Sequence, residues 1–275
     1  MANSVLDLNL MNDVTLSISK ACQHLKYYQF TPGGCEIVEG SAIFEVPVSL
    51  TVNGEVWLTF MCTPTDLEAL AVGFLYNENV IQSPEEIVTL RVCPSGDNVD
   101  VWLAHLADKP KQWRRTSGCT GGITGIDVAE KCESKPVVYN GAIYHPEKIG
   151  GLVELLSDSQ DLYRQSGGVH TSALSDGHGL RVVAEDIGRH NTLDKIAGKC
   201  LLNGLDLPQR ILLTTGRISS EMLQKAARIG AAIVISRTAP SALAIEMAES
   251  WNITLIGYAR RDRFRVYTHP ERIGG

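Results

Sequence analysis

A single cysteine inside a glycine-rich segment is the first place where this sequence indicates chemistry. Residues 114–125 read RRTSGCTGGITG, so Cys119 follows Arg114 and Arg115 and is surrounded by glycine, serine and threonine. Most free cysteines are small buried hydrophobes, but these neighbours cannot form an apolar face. Glycines allow another molecule to approach closely, and guanidinium groups that fold back on the loop favour thiolate over thiol. The segment therefore predicts a reactive thiol in a mobile loop.

The absence of a neighbouring base limits what this thiol can do. Ester and peptide hydrolysis need a positioned histidine and an oxyanion hole around a fixed nucleophile. A cysteine on a flexible loop is better suited to carrying a group. Thiolate attack on a sulfur donor leaves a persulfide, and loop movement then brings the terminal sulfur to an acceptor.

Polar side chains also cluster where predicted strands begin or end in the second half. Residues 167–177 (GGVHTSALSDG) begin a strand, and residues 185–195 (EDIGRHNTLDK) join a strand to a helix. Such junctions are typical ligand positions in α/β folds. The alternative is that these groups only form the hydrogen bonds needed at the strand end and the helix start, with Asn191 capping the helix. The candidate binding residues here are His170, Asp186, Arg189 and His190.

A similar junction contains Arg217. Residues 214–221 (TTGRISSE) give a strand end, a glycine and two serines that open a helix. Free N–H groups at a helix start can bind an anion, although a helix cap explains Ser219 and Ser220 equally well. One glycine is far short of a dinucleotide fingerprint.

The strongest anion signal is a run of arginines near the C-terminus. Residues 257–270 read GYARRDRFRVYTHP, and the charges continue directly from an apolar strand. The alternative is a solvated surface strand. Guanidinium groups match phosphate oxygens in pairs, and Tyr258 or Phe264 is able to stack on a base, which favours a phosphate or nucleotide contact. The candidate residues are Tyr258, Ala259, Arg260, Arg261, Asp262 and Arg263.

Several common site types are missing from the sequence. The seven histidines and seven cysteines form no CxxC, HExxH, or HxE with PCxxC pattern, so we expect no metal bound directly by the protein. GxSxG, SxxK and the Walker motif are also absent, which disfavours serine hydrolases and P-loop enzymes.

Composition limits the partners and the compartment. The net charge of −6 over 275 residues argues against a nucleic-acid partner, which needs a broad basic face. No run approaches the ~20 apolar residues of a membrane span, and the N-terminus has no secretory pattern. Scattered, odd-numbered cysteines are typical of reduced thiols. We therefore expect a cytoplasmic protein without a membrane partner.

The first half of the chain predicts an α+β unit. Residues 1–40 are irregular by pattern and are expected to be an N-terminal arm, loose or with short strands. Residues 41–125 form the smaller subdomain, which ends in the cysteine loop. It contains a hairpin at Asn53-Gly54, a helix from Leu67 with a TDLE capping box at 65–68, and a second antiparallel strand pair.

The second half, residues 126–275, predicts an α/β domain. A helix is expected over 145–165. The runs LRVVA, RILLTT, AIVIS and ITLIGY read as buried strands, and SSEMLQKAARIG and PSALAIEMAES read as helices between the last three. Strands alternating with helices predict right-handed crossovers and a largely parallel sheet.

Together these motifs resemble one known family. The segments SGCTGG, GGVHTSAL, EDIGRHNTLDKIAG, TTGRISSEMLQKAARIGAAIVISRTAPSALAIEMAE and GYARRDRFRVYTHPERI are similar to those of the FdhD family, the sulfur carrier proteins required for formate dehydrogenase activity. The resemblance runs from about Phe44 to the C-terminus. It implies an α/β fold similar to that of cytidine deaminases, a three-layer sandwich, here with the α+β subdomain in front.

The resemblance also implies a function. Such a sulfurtransferase takes sulfur as a persulfide from a cysteine desulfurase and passes it to the molybdenum or tungsten bis-guanine-dinucleotide cofactor of the formate dehydrogenase catalytic subunit. Cys119 matches the persulfide cysteine, and residues 258–263 (YARRDR) match the cofactor-binding segment. A homodimer is also expected.

One departure and two alternatives stay open. Many family members carry CxxC in the loop, whereas this chain has CTGG with Gly122 in the second position, so discharge needs a more distant thiol or an external reductant. The main alternative is a chaperone that delivers the cofactor without sulfur chemistry. A nucleotide deaminase is disfavoured, because no metal-activated water can be assembled from these residues.

Overall fold

A computed structural model describes residues 21–110, 113–115, 123–125 and 136–274. The described strands form a four-stranded sheet, a six-stranded sheet and two separate two-stranded sheets. The four-stranded sheet belongs to the first half of the chain and the six-stranded sheet to the second half, as the change in sequence pattern predicts.

The chain begins its described part with a projecting hairpin of β1 (Cys22–Thr31) and β2 (Gly34–Ile43). Of the two predicted forms of the arm, a loose segment is wrong from Cys22 onward and strands are present, each ten residues long rather than short. Residues 1–20 lie outside the described range. Most side chains of this hairpin are exposed on both faces, so the strands lack the alternation of apolar and polar residues that identifies a strand in sequence. A small cluster anchors its base: Ala21, Cys22, Ile43, Leu162 and Val169.

The four-stranded sheet has the order β4-β3-β6-β5 and packs against one helix. Asn53 and Gly54 have φ angles of 50° and 83°, the left-handed geometry that the tight turn between β3 and β4 requires, so the predicted hairpin is confirmed. The second antiparallel pair is also confirmed. The elements are β3 (Val46–Val52), β4 (Glu55–Cys62), α1 (Leu67–Asn77), β5 (Ile87–Val92) and β6 (Asn98–Leu103).

The helix α1 begins where predicted, but without the predicted capping box. Asp66 precedes the helix in a left-handed conformation, with φ 53°, and makes no side-chain capping bond. Its carboxylate instead forms an ion pair with Lys199 at 2.8 Å. A tertiary partner more than a hundred residues away in sequence thus replaces the local cap.

The six-stranded sheet has the order β10-β9-β11-β12-β13-β14. Only the pairs β11–β12 and β12–β13 are parallel, whereas β10–β9, β9–β11 and β13–β14 are antiparallel. The prediction of a largely parallel sheet is therefore right for the last three predicted strands and wrong for the sheet as a whole. The strands are β9 (His170–Ser175), β10 (Leu180–Asp186), β11 (Ile211–Thr214), β12 (Ile233–Ser236), β13 (Thr254–Gly257) and β14 (Arg265–Val266).

Helices cover both faces of this sheet. One core joins the sheet to three helices through residues such as Ile196, Met222 and Ala244, and a second core on the other face includes Ile149 and Leu152. The result is a mixed α/β fold in layers; the specific likeness to cytidine deaminases stays a prediction. The helices are α2 (Pro146–Asp158), α3 (Asp161–Ser166), α4 (Arg189–Leu202), α5 (Ser220–Arg228) and α6 (Ala242–Ser250).

The helices α1 and α4 connect the two sheets by direct backbone contact. A Cβ atom added to Gly73 would lie 1.7 Å from the carbonyl oxygen of Asp194, and one added to Gly198 would lie 1.9 Å from that of Ala69. Glycine is therefore required at both positions, because any side chain would force the two helices apart.

Two short strands flank the cysteine segment. The strands β7 (Trp113–Arg115) and β8 (Ile123–Gly125) pair in antiparallel fashion. The predicted mobile loop, including Cys119, connects them in sequence and lies outside the described residues. Within the described ranges, every helix is too short or too polar to cross a membrane.

Candidate functional site

Three neighbouring strands of the large sheet end at the same edge, and an arginine follows each of them. The strands β11, β12 and β13 are parallel, so their carboxyl ends lie side by side. The arginines are Arg217, Arg237 and Arg260. Ligands of open α/β sheets bind outside the carboxyl ends of the strands, so this edge is where an anionic ligand is expected.

A groove with two lobes lies at this edge. The large lobe has a volume of about 470 Å³ and the small lobe about 280 Å³. Arg237 and Arg260 line both lobes, so the two lobes lie next to each other at these residues. The other residues around the large lobe include Gln160, Tyr163, His170, Thr215 and Thr238, and those around the small lobe include Val153, Glu154, Ser157, Asp158 and Arg261.

Backbone contacts hold the arginine segment in place. The N–H groups of Tyr258 and Ala259 donate to the carbonyls of Thr238 and Ser236, both at 3.0 Å, which ties the end of β13 to the end of β12. The N–H of Arg260 donates to the carbonyl of Arg263 at 2.8 Å and closes a tight turn. The arginines are thus presented from a fixed backbone.

The helix α2 supports this turn from behind. A Cβ atom on Gly150 would lie 2.0 Å from the carbonyl oxygen of Arg261, so the turn rests directly on the helix backbone. Arg261 also forms an ion pair with Glu154 of the same helix at 3.0 Å. The position of the turn therefore depends on a glycine that the sequence alone does not single out.

The structure separates the six residues predicted in the arginine segment. Arg260 and Arg261 line the groove, whereas Asp262 and Arg263 are exposed outside both lobes. Ala259 is fully buried and acts through its backbone.

Tyr258 is held in an unusual conformation at the edge of the segment. It has a left-handed φ of 52°, which costs conformational energy in a residue with a side chain. The guanidinium of Arg265 lies 4.3 Å from its ring centroid, and the side chain remains 42% exposed. Phe264, the alternative stacking residue, packs against the core instead. The structure therefore favours Tyr258 over Phe264 as a surface for a base.

His170 lies in the large lobe at the start of β9, as predicted. Its Nδ1 is 3.4 Å from the hydroxyl oxygen of Thr215. Burial lowers the pKa of His170 most, and the positive charge of Arg189 lowers it further; Asp186 opposes this less strongly, and Arg217 adds the smallest lowering. A neutral imidazole in this position can exchange hydrogen bonds with a ligand in the lobe.

Arg189 and His190 are buried beneath the groove. The Arg189 side chain crosses Gly216, where an added Cβ would lie 2.9 Å from the Cβ of Arg189. His190 is 1% exposed, and burial lowers its pKa to about 2, with further lowering by the charges of Lys225 and Arg189. Neither residue lines the described lobes, so both influence the groove through its electrostatic field and its packing.

Asp186 is buried in an ion pair rather than in the groove. Its Oδ2 lies 2.7 Å from Nζ of Lys195, and neither side chain is accessible to solvent. The same carboxylate accepts hydrogen bonds from the N–H groups of Thr63 and Gly188. Asp186 therefore connects the end of β4 to the beginning of α4, so its role is to hold the fold together rather than to bind a ligand.

The interpretation of Asn191 as a helix cap is wrong. Gly188 is the N-cap of α4, and Asn191 is the third residue of the helix. Its amide donates to the carbonyl oxygen of Met61 and to Oδ1 of Asp186. Asn191 thus joins the buried network around Asp186.

At the next junction the cap interpretation is confirmed. The Ser219 hydroxyl accepts a hydrogen bond from the N–H of Met222 at the start of α5. Arg217 is exposed and lies outside both described lobes, near enough to His170 to affect its pKa.

Sequence reasoning missed Arg237 and Gln160, which contact each other in the groove at 3.4 Å between Nη1 and Oε1. The sequence did contain a signal for Arg237. This residue directly follows β12, just as Arg217 follows β11 and Arg260 follows β13. Gln160 precedes the short helix α3 and had no such signal.

The cysteines in the described residues are free, and three have a raised pKa. Burial raises the pKa of Cys22 and Cys200, and it raises that of Cys62 to about 12. These three thiols are therefore poor nucleophiles at neutral pH.

Within the described residues, no group of histidine, cysteine, aspartate and glutamate is arranged to hold a metal ion.

Fold and site together define an α/β protein with an arginine-lined groove at the strand ends and no dinucleotide fingerprint. Residues 43–274 match the model of the FdhD/NarQ family. The chain belongs to this family, and the resemblance drawn from its motifs is confirmed.

Named relatives extend over nearly the whole chain. The sulfur carrier protein FdhD of Bacillus subtilis (strain 168) is 39% identical over 249 residues, which cover 90% of this chain and 95% of the relative. The protein of the same name from Shouchella clausii is 34% identical over 260 residues, with 90% and 94% covered.

A solved structure shows the same fold. A crystal structure from Desulfotalea psychrophila, described as a formate dehydrogenase accessory protein, has a TM-score of 0.76 and 31% identity to this chain. The match covers 92% of this chain and all of the other.

The contact between Gly150 and Arg261 gives a first testable prediction. Gly150→Ala should lower the free energy of unfolding by about 1–3 kcal/mol, because the new methyl group collides with a backbone carbonyl. Gly151→Ala is the matched control. An added Cβ there meets nothing within 4 Å, so the helix should gain about 0.5–1 kcal/mol. Urea denaturation of both variants measures the difference, and equal stabilities would contradict the proposed support of the arginine turn.

The burial of His190 predicts a pH dependence of stability. The folded protein keeps this imidazole neutral because its pKa is lowered from 6.5 to about 2, whereas the unfolded chain protonates near pH 6.5. The free energy of unfolding therefore falls by up to about 1.4 kcal/mol per pH unit as the pH falls below 6.5, because only the unfolded chain binds a proton at this imidazole. His190→Gln should make the loss of stability toward lower pH less steep. Urea denaturation at several pH values tests this, with exposed His178→Gln as a control that keeps the wild-type slope; an unchanged slope in His190→Gln would refute it.

Proposed function

We propose that this protein carries sulfur as a persulfide on Cys119 and delivers it to a cofactor of formate dehydrogenase. Membership of the FdhD/NarQ family is the observation that carries the proposal, because the matched region contains Cys119 and its relatives are named sulfur carrier proteins. The Desulfotalea psychrophila protein supports formate dehydrogenase as the target.

The loading step is a thiol exchange. The Cys119 thiolate attacks the terminal sulfur of a persulfide on a cysteine desulfurase, a new S–S bond forms on Cys119, and the old S–S bond breaks. The electron pair of the broken bond leaves with the desulfurase thiolate, so no external oxidant or reductant is consumed. The protein is thus a sulfurtransferase in which the cysteine is recharged in each cycle.

The groove is the proposed binding site for the acceptor. Its substrate is the molybdenum or tungsten bis-guanine-dinucleotide cofactor, a ligand with diphosphate groups that suit Arg260 and Arg261. Tyr258, which lines neither lobe but precedes Arg260 by two residues, offers an exposed ring for a guanine base. His170 supplies a neutral imidazole in the large lobe.

Discharge of the persulfide is assigned to an external thiol. Its thiolate attacks the inner sulfur on Cys119, the S–S bond of the persulfide breaks, and the outer sulfur leaves at the sulfide level for the acceptor. A second thiol then reduces the resulting mixed disulfide and restores the Cys119 thiolate. Gly122 replaces the second cysteine that many relatives have in this loop. Cys22, Cys62 and Cys200 have pKa values raised by burial, and this makes them poor resolving thiols. Neither observation favours an internal disulfide.

The wider setting of the proposal follows from the family resemblance. The protein works in the cytoplasm as a homodimer, takes sulfur from a cysteine desulfurase and meets the formate dehydrogenase catalytic subunit. Its large domain is assigned the cytidine deaminase-like architecture, without the zinc chemistry of those enzymes.

A second candidate is a cofactor chaperone without sulfur chemistry. The groove favours it in one respect, since the two lobes are lined by residues outside the cysteine segment. In that case the protein binds the cofactor and docks it on its target, and Cys119 has no covalent role.

A cysteine variant distinguishes the two functions. Cys119→Ser should abolish transfer of labelled sulfur and the maturation of formate dehydrogenase, while cofactor binding survives. Cys35→Ser, which removes an exposed thiol of the β1–β2 hairpin, is the matched control and should keep full transfer. Maturation by Cys119→Ser at the wild-type level would leave only the chaperone function.

The arginine segment gives a separate binding prediction. Arg260→Gln should weaken guanosine diphosphate binding roughly tenfold and reduce its dependence on salt, because a phosphate contact is lost. Arg263→Gln removes the same charge outside the lobes and should change affinity by less than about threefold. Titration calorimetry at two salt concentrations measures both, and equal effects of the two variants would contradict the position assigned to the ligand.

A further inference from the structure

The groove has a shape that suits a ligand with two bulky ends. Its two lobes share Arg237 and Arg260 as lining residues, and each lobe also has lining residues that the other lacks. The large lobe, at about 470 Å³, lies within the usual range for small-molecule sites, and the small lobe of about 280 Å³ is close to it. A single compact ligand would occupy one lobe, whereas a two-ended ligand has to cross the arginine boundary.

The distribution of charge decides which part of the ligand lies at the boundary. The small lobe contains Glu154, which forms an ion pair with Arg261 at 3.0 Å, and Asp158, whose carboxylate repels phosphate oxygens. The large lobe is lined mainly by neutral groups beyond its arginines, including Gln160, Thr215 and Thr238. The anionic part of a ligand is therefore most stable between the lobes, next to both guanidinium groups.

Hydrogen bonds to protein atoms hold both guanidinium groups in place, and other N–H donors of the same groups remain for a ligand. Nη1 of Arg260 donates to the carbonyls of Arg237 and Ala259, at 2.8 Å each. Nη1 of Arg237 donates to Oε1 of Gln160 at 3.4 Å, and its backbone N–H donates to the carbonyl of Thr214. Each arginine carries five N–H donors, so further donors remain for a ligand after these contacts.

We propose that Arg237 is a ligand-binding residue that, together with Arg260, binds the diphosphate of a dinucleotide-type ligand, with one nucleoside-sized group in each lobe. The choice of a guanine dinucleotide rests on the proposed function, while the two-ended shape and the position of the diphosphate rest on the groove itself. Arg237 reaches the site from the end of β12, between the segments that follow β11 and β13, so it belongs to the same edge of the sheet.

Calorimetry with three probes tests the role of Arg237: diguanosine diphosphate, guanosine diphosphate and guanosine. Arg237→Gln should weaken both diphosphates roughly tenfold or more and leave guanosine nearly unchanged. Arg237→Lys keeps the charge without the paired donors and should give an intermediate affinity. Arg181→Gln, at an exposed arginine paired with Asp176, is the control for loss of one positive charge and should bind like the wild type.

A second variant tests the two-ended shape. Ser157→Phe fills the small lobe, so it should reduce the affinity for diguanosine diphosphate to that for guanosine diphosphate and leave the latter unchanged. Thermal melting confirms that each variant is folded. Wild-type affinity in Arg237→Gln, or diguanosine diphosphate that binds no more tightly than guanosine diphosphate in the wild type, would overturn the proposal.

Sulfur loading on the same proteins separates this proposal from the proposed function. The Arg237 variants should still accept sulfur on Cys119, because the proposed exchange uses only the Cys119 thiolate and the persulfide of the donor. Failure of the wild type to accept sulfur would overturn the carrier function and leave the binding results to decide the diphosphate site.

Discussion

A buried ion pair between Asp186 and Lys195 lies where the end of the small sheet, the end of β10 and the helix α4 come together. Nζ of Lys195 also donates to the carbonyls of Thr63 and Glu185 and to the hydroxyl of Thr65, each at 3.2 Å. One ammonium group thus joins the end of the small sheet, the end of β10 and the helix α4. Charges removed from water need this degree of pairing, and loss of one partner from such a pair typically costs about 3–5 kcal/mol. Arg189 and His190 begin the same helix as Lys195, so the ion pair also holds these two residues in place.

Local features of the fold were predictable, and contacts between distant segments were not. The turn at Asn53-Gly54 and the cap at Ser219 depend on neighbouring residues, so the sequence shows them. The ion pair of Asp66 with Lys199, which replaces the expected capping box, joins segments that only the tertiary fold brings together. The hairpin of β1 and β2 was missed because a strand exposed on both faces has no apolar alternation.

In the candidate site, too, some features could be predicted from the sequence and others are visible only in the structure. Arg260 was found because it lies in a dense run of arginines, whereas the equally central Arg237 stands alone after its strand and resembles a solvated surface residue. Asp186 looked like a ligand-binding group in sequence, and its complete burial against Lys195 is visible only in the structure. In physical terms, a sequence shows which charges are present, and the fold determines which of them face a cavity. The groove thus provides fixed positive charge for an acceptor, and the proposed chemistry is assigned to a cysteine elsewhere in the chain.

The intact mass of the purified protein after incubation with cysteine and a cysteine desulfurase shows whether a persulfide forms. A persulfide on Cys119 adds ~32 Da for each sulfur, located on the peptide that contains Cys119 and removed by a reductant. The same treatment of Cys119→Ser should leave the mass unchanged. An unmodified wild-type protein, or the added sulfur on another cysteine, would contradict the account.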